Sequence, residues 1–227
     1  MNAPLSPSAL ASATLAADHP SDLELAALIS SKICHDIINP VGAIYNGIEI
    51  LDENKDADSK AYALQMIRNV VEQASARLQF ARFAFGAAGS AGSVIDLTLA
   101  EQITRGFMGT GKHKLVWTGQ PGFMGKDKVK LLLNLIASSI TALPRGGEVR
   151  VEITGAMERP TFRIACVGTN AKMPLYLTDY VTAGSVPSAL DAMSVQAYYT
   201  WRLSGTAHMA IGIEKAGADI VLTAVPA

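Results

Sequence analysis

Lys32-Ile33-Cys34-His35-Asp36-Ile37-Ile38-Asn39-Pro40 lies inside an apolar-periodic run, and reading it as part of one long helix decides the architecture of the chain. Apolar residues recur at Ile33, Ile37, Ile44, Ile48 and Leu51, with steps of 4, 7, 4 and 3, which is one stripe of an amphipathic helix ending near Asp52. The helix starts at Ser21-Asp22-Leu23-Glu24, where Ser21 and Glu24, three apart, can satisfy each other's orphan amides. His35 shares a face with Asn39, Gly42, Ala43 and Asn46, at steps of 4, 7, 8 and 11, whereas Ile33 and Ile37 point toward the seam. The imidazole is therefore expected in solvent, on a face of small or polar residues that leaves a shallow seat for another protein. Asp36 can accept from the imidazole Nδ1–H, which directs the lone pair to Nε2 and raises its nucleophilicity. Pro40 lacks an amide hydrogen and is expected to kink the helix one turn beyond the histidine.

Downstream, residues 52–59 are charged and polar and read as a tight connection. A second helix then carries Leu64, Ile67, Val71, Ala74, Leu78, Ala81 and Phe85 in alternating steps of 3 and 4, a heptad seam. Two helices of about 27 to 30 residues joined by a short loop form an antiparallel hairpin about 40 to 45 Å long. A lone hairpin of that length leaves its apolar stripes uncovered. A second copy across a two-fold axis, giving a dimeric four-helix bundle, covers them; the alternative is packing on the chain's own C-terminal half.

Residues 86–93 are all Gly, Ala or Ser, so the boundary between two domains is placed there. The pattern then changes to a short strand at 94–97, a helix through Phe107, a strand at 113–118, a turn at 121–125 and a strongly apolar helix at 126–143. Segments 148–154 and 161–166 read as a hairpin, 175–183 and 190–203 as helices, and 208–213 with 219–224 as a closing hairpin. Helices and a largely antiparallel sheet segregate, so the fold class is α+β: a helical hairpin at 21–86 and an α/β sandwich at 93–227. Residues 1–20, rich in Ala, Ser and Pro, are expected to form a disordered tail.

With 49% hydrophobic residues the chain of 227 has ample material for a core. Its net charge is −1 and its 19 Lys and Arg are scattered, which argues against a nucleic-acid partner and for a protein one. Cys34 and Cys166 sit in apolar stretches without metal-ligand spacing and read as buried thiols, in keeping with a reducing cytoplasm. No apolar run reaches the ~18 residues of a membrane helix and the N-terminus lacks the signature of a secretory signal, so neither membrane nor export is expected.

His35, Asp36, Asn39 and Pro40, on the first helix of a hairpin, match one by one the phospho-acceptor box of histidine kinases and of the dimeric histidine phosphotransferases related to them, which the chain resembles. The second half is similar to the GHKL (Bergerat) ATP-binding domain that follows such a hairpin. Asn134-Leu135-Ile136-Ala137-Ser138-Ser139 follows that family's helix, and Pro144-Arg145-Gly146-Gly147 its turn into the next strand. Ser138 stands where the family has the asparagine that ligates Mg²⁺. Gly168-Thr169-Asn170-Ala171-Lys172 stands where it has Asp-x-Gly-x-Gly, and there is no Gly-x-Gly phosphate loop. The lobe is thus read as degenerate, with no ATP or other cofactor bound.

The resemblance implies a homodimer in which His35 takes a phosphoryl group from the receiver aspartate of a hybrid kinase and passes it to response regulators, in a cell-cycle relay. The receiver would bring its own Mg²⁺ and lysine, leaving this chain to supply a positioned nucleophile and a docking surface. Asp36 would orient His35. Lys32 would either steady the phosphoryl oxygens or be a solvated lysine, and Asn39 would fix the docked receiver or position a water. Gly42, Ala43 and Asn46 would seat the receiver's first helix. With the hairpin turning near Lys55, the facing residues lie near Ser75, and Arg68 and Glu72 are rim contacts. The alternatives are an ATP-dependent histidine kinase with a divergent lobe and a noncatalytic dimeric scaffold.

Overall fold

The computed structural model describes residues 19–53, 56–86, 93–109, 111–183 and 190–227. Helix α1 (Asp22–Glu53) opens with the reciprocal cap. Glu24 Oε2 accepts from the Ser21 amide and hydroxyl, both at 2.8 Å, and the Glu24 amide donates to Ser21 Oγ at 3.2 Å. Helix α2 (Ala57–Ala84) starts where Asp56 Oδ1 accepts from the Ser59 amide at 2.8 Å. The two form the long hairpin; its expected turn at Lys55 lies outside the described residues. The disordered-tail expectation also lies outside them, except at His19 and Pro20. His19 is anchored there, stacked on Trp201 with ring centroids 5.9 Å apart and its Nδ1 3.2 Å from the Tyr198 hydroxyl.

Packing corrects the expected stripes. Ile48 is 46% exposed, while Pro40 and Gly47 are buried. The inner seam of α1 therefore runs Ile33, Ile37, Pro40, Ile44, Gly47 and Leu51, in steps of 4 and 3. Gly47 belongs there because a Cβ would stand 2.6 Å from Ile67 Cγ1, so only a hydrogen permits this helix spacing. The expected seam of α2 splits in two. Ala74 is buried, with Ile67 and Ala81 half-buried toward α1, whereas Leu64, Val71 and Leu78 are exposed.

After the hairpin, β1 (Val94–Asp96) leads into α3 (Leu97–Met108), β2 (His113–Thr118), β3 (Phe123–Gly125) and α4 (Lys126–Thr141). The expected turn at 121–125 is partly strand: β3 pairs antiparallel with β1, Ile95 opposite Met124. There follow β4 (Gly147–Ala156), β5 (Arg159–Val167), α5 (Leu175–Ala183), α6 (Val195–Thr206), β6 (Met209–Ala216) and β7 (Asp219–Pro226). Helix α6 starts five residues later than expected, because the Asp191 carboxylate accepts from the Met193 and Ser194 amides at 2.9 and 2.8 Å and closes a turn there.

The main sheet has the order β2-β4-β5-β7-β6, antiparallel except for β2 against β4. Along β4, Val149, Val151 and Ile153 are buried and Arg150, Glu152 and Thr154 are exposed, so one face meets helices and the other water. Gly146 and Gly147 enter β4 at φ +86 and +146, and a Cβ on either would fall 2.4 Å from a backbone oxygen.

Helix α4 is buried throughout residues 129–139 because it is covered by the sheet on one side and by the base of the hairpin on another. The core is continuous across that junction and includes Phe80 and Ala84 of α2. Phe80 stacks on Phe107 at 3.8 Å, and the buried Asn134 donates to the carbonyls of Ala84 and Lys130, both at 2.9 Å. The hairpin base is thus covered by the chain's own second half, as the alternative reading had it, while the exposed stripe farther along stays uncovered.

Candidate functional site

His35 sits at mid-helix on α1 with 62% of its side chain exposed, as its helical face requires. The Asp36 carboxylate lies beside it, Oδ1 3.5 Å from Nδ1. That is longer than an ordinary hydrogen bond of about 2.7–3.2 Å, so the carboxylate flanks the ring without forming a full bond to it. Its other oxygen, Oδ2, accepts from Lys32 Nζ at 2.6 Å, an i,i+4 pair whose lysine side chain is only 17% exposed. Lys32 is therefore paired with Asp36 rather than freely solvated.

Asn39, Gly42 and Asn46 are exposed and Ala43 is half-buried. A Cβ built on Gly42 would meet nothing within 4 Å, so no internal packing demands glycine there and the surface is open. Arg68 and Glu72 are exposed on α2. The residue of α2 that reaches the level of His35 is Arg77, whose Nη1 donates to the Asp36 carbonyl at 3.3 Å. At 1.5 Å per residue, Arg68 and Glu72 lie about 13 and 8 Å from it toward the hairpin turn. The sequence reading placed the facing level near Ser75 and missed Arg77. The signal was there: a basic residue at an inner-seam position of an otherwise apolar run.

Cys34, next to His35, is exposed rather than buried, because it points away from the α1–α2 seam. Cys166 is buried in β5, and burial pushes its thiol up to about 12, far from reactivity at neutral pH.

Beneath the site a cleft of about 390 Å³ separates hairpin from sandwich, lined among others by Lys32, Asp36, Arg77, Phe107, His113 and Gln196. A second, of about 360 Å³, lies between α4, α5 and α6, and the two share Thr141 and Gln196. Ser138, which lines the second cleft, is 6% exposed and its hydroxyl donates back to the Asn134 carbonyl at 2.9 Å. The rim carries Met173, Leu175, Tyr176 and Met193, all at least 36% exposed. Among the described residues no group of three or more His, Cys, Asp or Glu is placed to hold a metal ion, and no helix is long and apolar enough to cross a membrane.

The site is thus a solvent-facing imidazole with a pinned carboxylate at its side, on a helical hairpin rooted in an α/β sandwich. A model of the histidine phosphotransferase C-terminal domain matches residues 97–219. The protein phosphotransferase ChpT of Brucella abortus (strain 2308) is 44% identical over 204 residues, 90% of this chain and 96% of its own. A bacterial phosphotransferase of known structure superposes with a TM-score of 0.83 at 40% identity, covering 91% of this chain and 98% of that one. The chain belongs to the histidine phosphotransferase family.

Proposed function

We propose that this protein is the intermediate carrier of a multistep phosphorelay, in which His35 takes a phosphoryl group from the receiver aspartate of a hybrid kinase and hands it to response-regulator aspartates. The observation that carries the reading is the exposed His35 imidazole beside an Asp36 carboxylate that Lys32 holds in place. The Nε2 lone pair attacks phosphorus, the bond from phosphorus to the aspartyl oxygen breaks, and the aspartate leaves as carboxylate. The proton stays on Nδ1, on the side of the ring that faces the Asp36 carboxylate. The onward step reverses this, with a second carboxylate as nucleophile. Mg²⁺ belongs to the receiver, whose first helix sits over Gly42, Ala43 and Asn46, with Asn39 at the contact and Arg68 and Glu72 at its rim.

ATP plays no part in this reading. The inward-turned Ser138 hydroxyl and the apolar rim of Met173, Leu175, Tyr176 and Met193 on the second cleft support that reading. The protein works in the cytoplasm as a homodimer, joined through the exposed stripe of Ile38, Val41, Tyr45 and Ile48 with Leu64, Val71 and Leu78. The test is labelled phosphoryl transfer from a phosphorylated receiver domain and, in parallel, from ATP. Wild type should take label from the receiver alone and His35→Ala should take none. Label from ATP would make it a kinase, and signalling preserved in His35→Ala would make it a scaffold.

A further inference from the structure

We propose that Arg77 is a positioning residue for phosphotransfer, clamping the backbone carbonyl that Pro40 leaves without a helical partner; the inference rests on His35 being the carrier. In an α-helix the carbonyl of residue 36 accepts from the amide of residue 40. Pro40 has no amide hydrogen, and its ring crowds that same carbonyl. The Asp36 oxygen is the one to which Arg77 Nη1 donates, from the other helix of the hairpin, at 3.3 Å.

The position of Arg77 makes the arrangement specific. The inner seam of α2 runs Ala63, Ile67, Val70, Ala74, Ala81 and Ala84, and residue 77 falls in the one gap of seven. Arg77 itself is exposed, so its guanidinium reaches the Asp36 carbonyl from the rim of the helix contact. The orphaned carbonyl opposite gives it a partner that no other interior turn of α1 offers, since Pro40 is the sole proline inside that helix.

Asp36 is thereby held twice, its carboxylate by Lys32 within α1 and its main chain by Arg77 from α2. His35 is the preceding residue, so the clamp fixes the level and rotation of the imidazole against the second helix at the point where the proline weakens the first. In-line transfer depends on such placement, and a displacement near 1 Å costs up to about 10²-fold in rate.

The experiment measures single-turnover transfer from a phosphorylated receiver, with thermal unfolding of the same samples, for wild type, Arg77→Met, Arg77→Lys, Pro40→Ala and the Pro40→Ala/Arg77→Met double variant. Methionine keeps the apolar stem in the cleft and removes the donor; lysine keeps a donor. Arg77→Met should slow transfer about tenfold and Arg77→Lys less than about threefold. In the Pro40→Ala background the same Arg77→Met change should matter less than about twofold, because the amide restored at position 40 takes the carbonyl. Equal slowing in both backgrounds, or none in either, would overturn the clamp. A wild type that takes no label from a competent receiver would overturn the carrier reading instead. The unfolding data then decide the clamp: destabilisation by Arg77→Met that vanishes with Pro40→Ala supports it, and destabilisation equal in both backgrounds refutes it.

Discussion

Gly47 sets how closely the helices of the hairpin approach. Replacing it with alanine gains about 1 kcal/mol of helix propensity but drives a methyl to 2.6 Å from Ile67 Cγ1 and close to Met66 Cε. Overpacking of this kind costs about 1–3 kcal/mol, so Gly47→Ala should lower the urea midpoint while leaving the m-value unchanged. An unchanged or higher midpoint would mean the helices can move apart freely. At the same scale, the exposed placement of His35 with Asp36 at its side was legible because a four-residue motif fell on a readable helical face. Pro40 and Gly47 were not legible as seam residues, because neither is a large hydrophobe and their value there lies in close approach rather than apolar area.

Helix starts give the elements their dependence on pH. Bonds from the Ser21 amide and hydroxyl hold the Glu24 carboxyl below its ordinary range, bonds from Ser59 do so for Asp56, and bonds from Ser194 for Asp191. A carboxyl whose folded-state value is lower than its unfolded one stabilises fully above the unfolded range, and the contribution is lost as pH falls through the folded value. Melting temperature should therefore hold between neutrality and about pH 5 and fall below about pH 4. Asp56→Asn, which caps without titrating, should show a shallower acid fall than wild type. Superimposable acid curves would remove the cap from the account. The reciprocal cap at Ser21 and Glu24 was readable directly, being a contact between residues three apart. The pairing of β3 with β1 was not, since a three-residue strand has too little alternation to stand out from a turn.

For the whole molecule, the balance lies between the covered base of the hairpin and its uncovered stripe. Phe80, Ala84 and Asn134 join α2 to the sandwich, whereas Tyr45 remains 63% exposed, Ile38 66% and Val71 47%. A stripe of that composition along two helices calls for a partner, and in the proposed dimer it is the core of the bundle. Val71→Asp would bury an unpaired charge there, so sedimentation should find wild type dimeric and the variant monomeric at the same concentration. A monomeric wild type would leave the stripe to some other protein.

What the amino-acid sequence determined by itself was the order and type of nearly every element, the hairpin, and the face on which His35 is presented. Those follow from periodicities of 3.6 and 2 and from turn chemistry, all carried by residues close together in the chain. Only the tertiary structure decided that Lys32 is tied to Asp36, that Cys34 is exposed, that the α2 seam serves two faces, and that Arg77 meets the carbonyl freed by Pro40. Arg77 and Asp36 are 41 residues apart. Their meeting depends on the register of two helices, which is set by the close contact of Gly47 with Ile67 and has no counterpart in any local pattern.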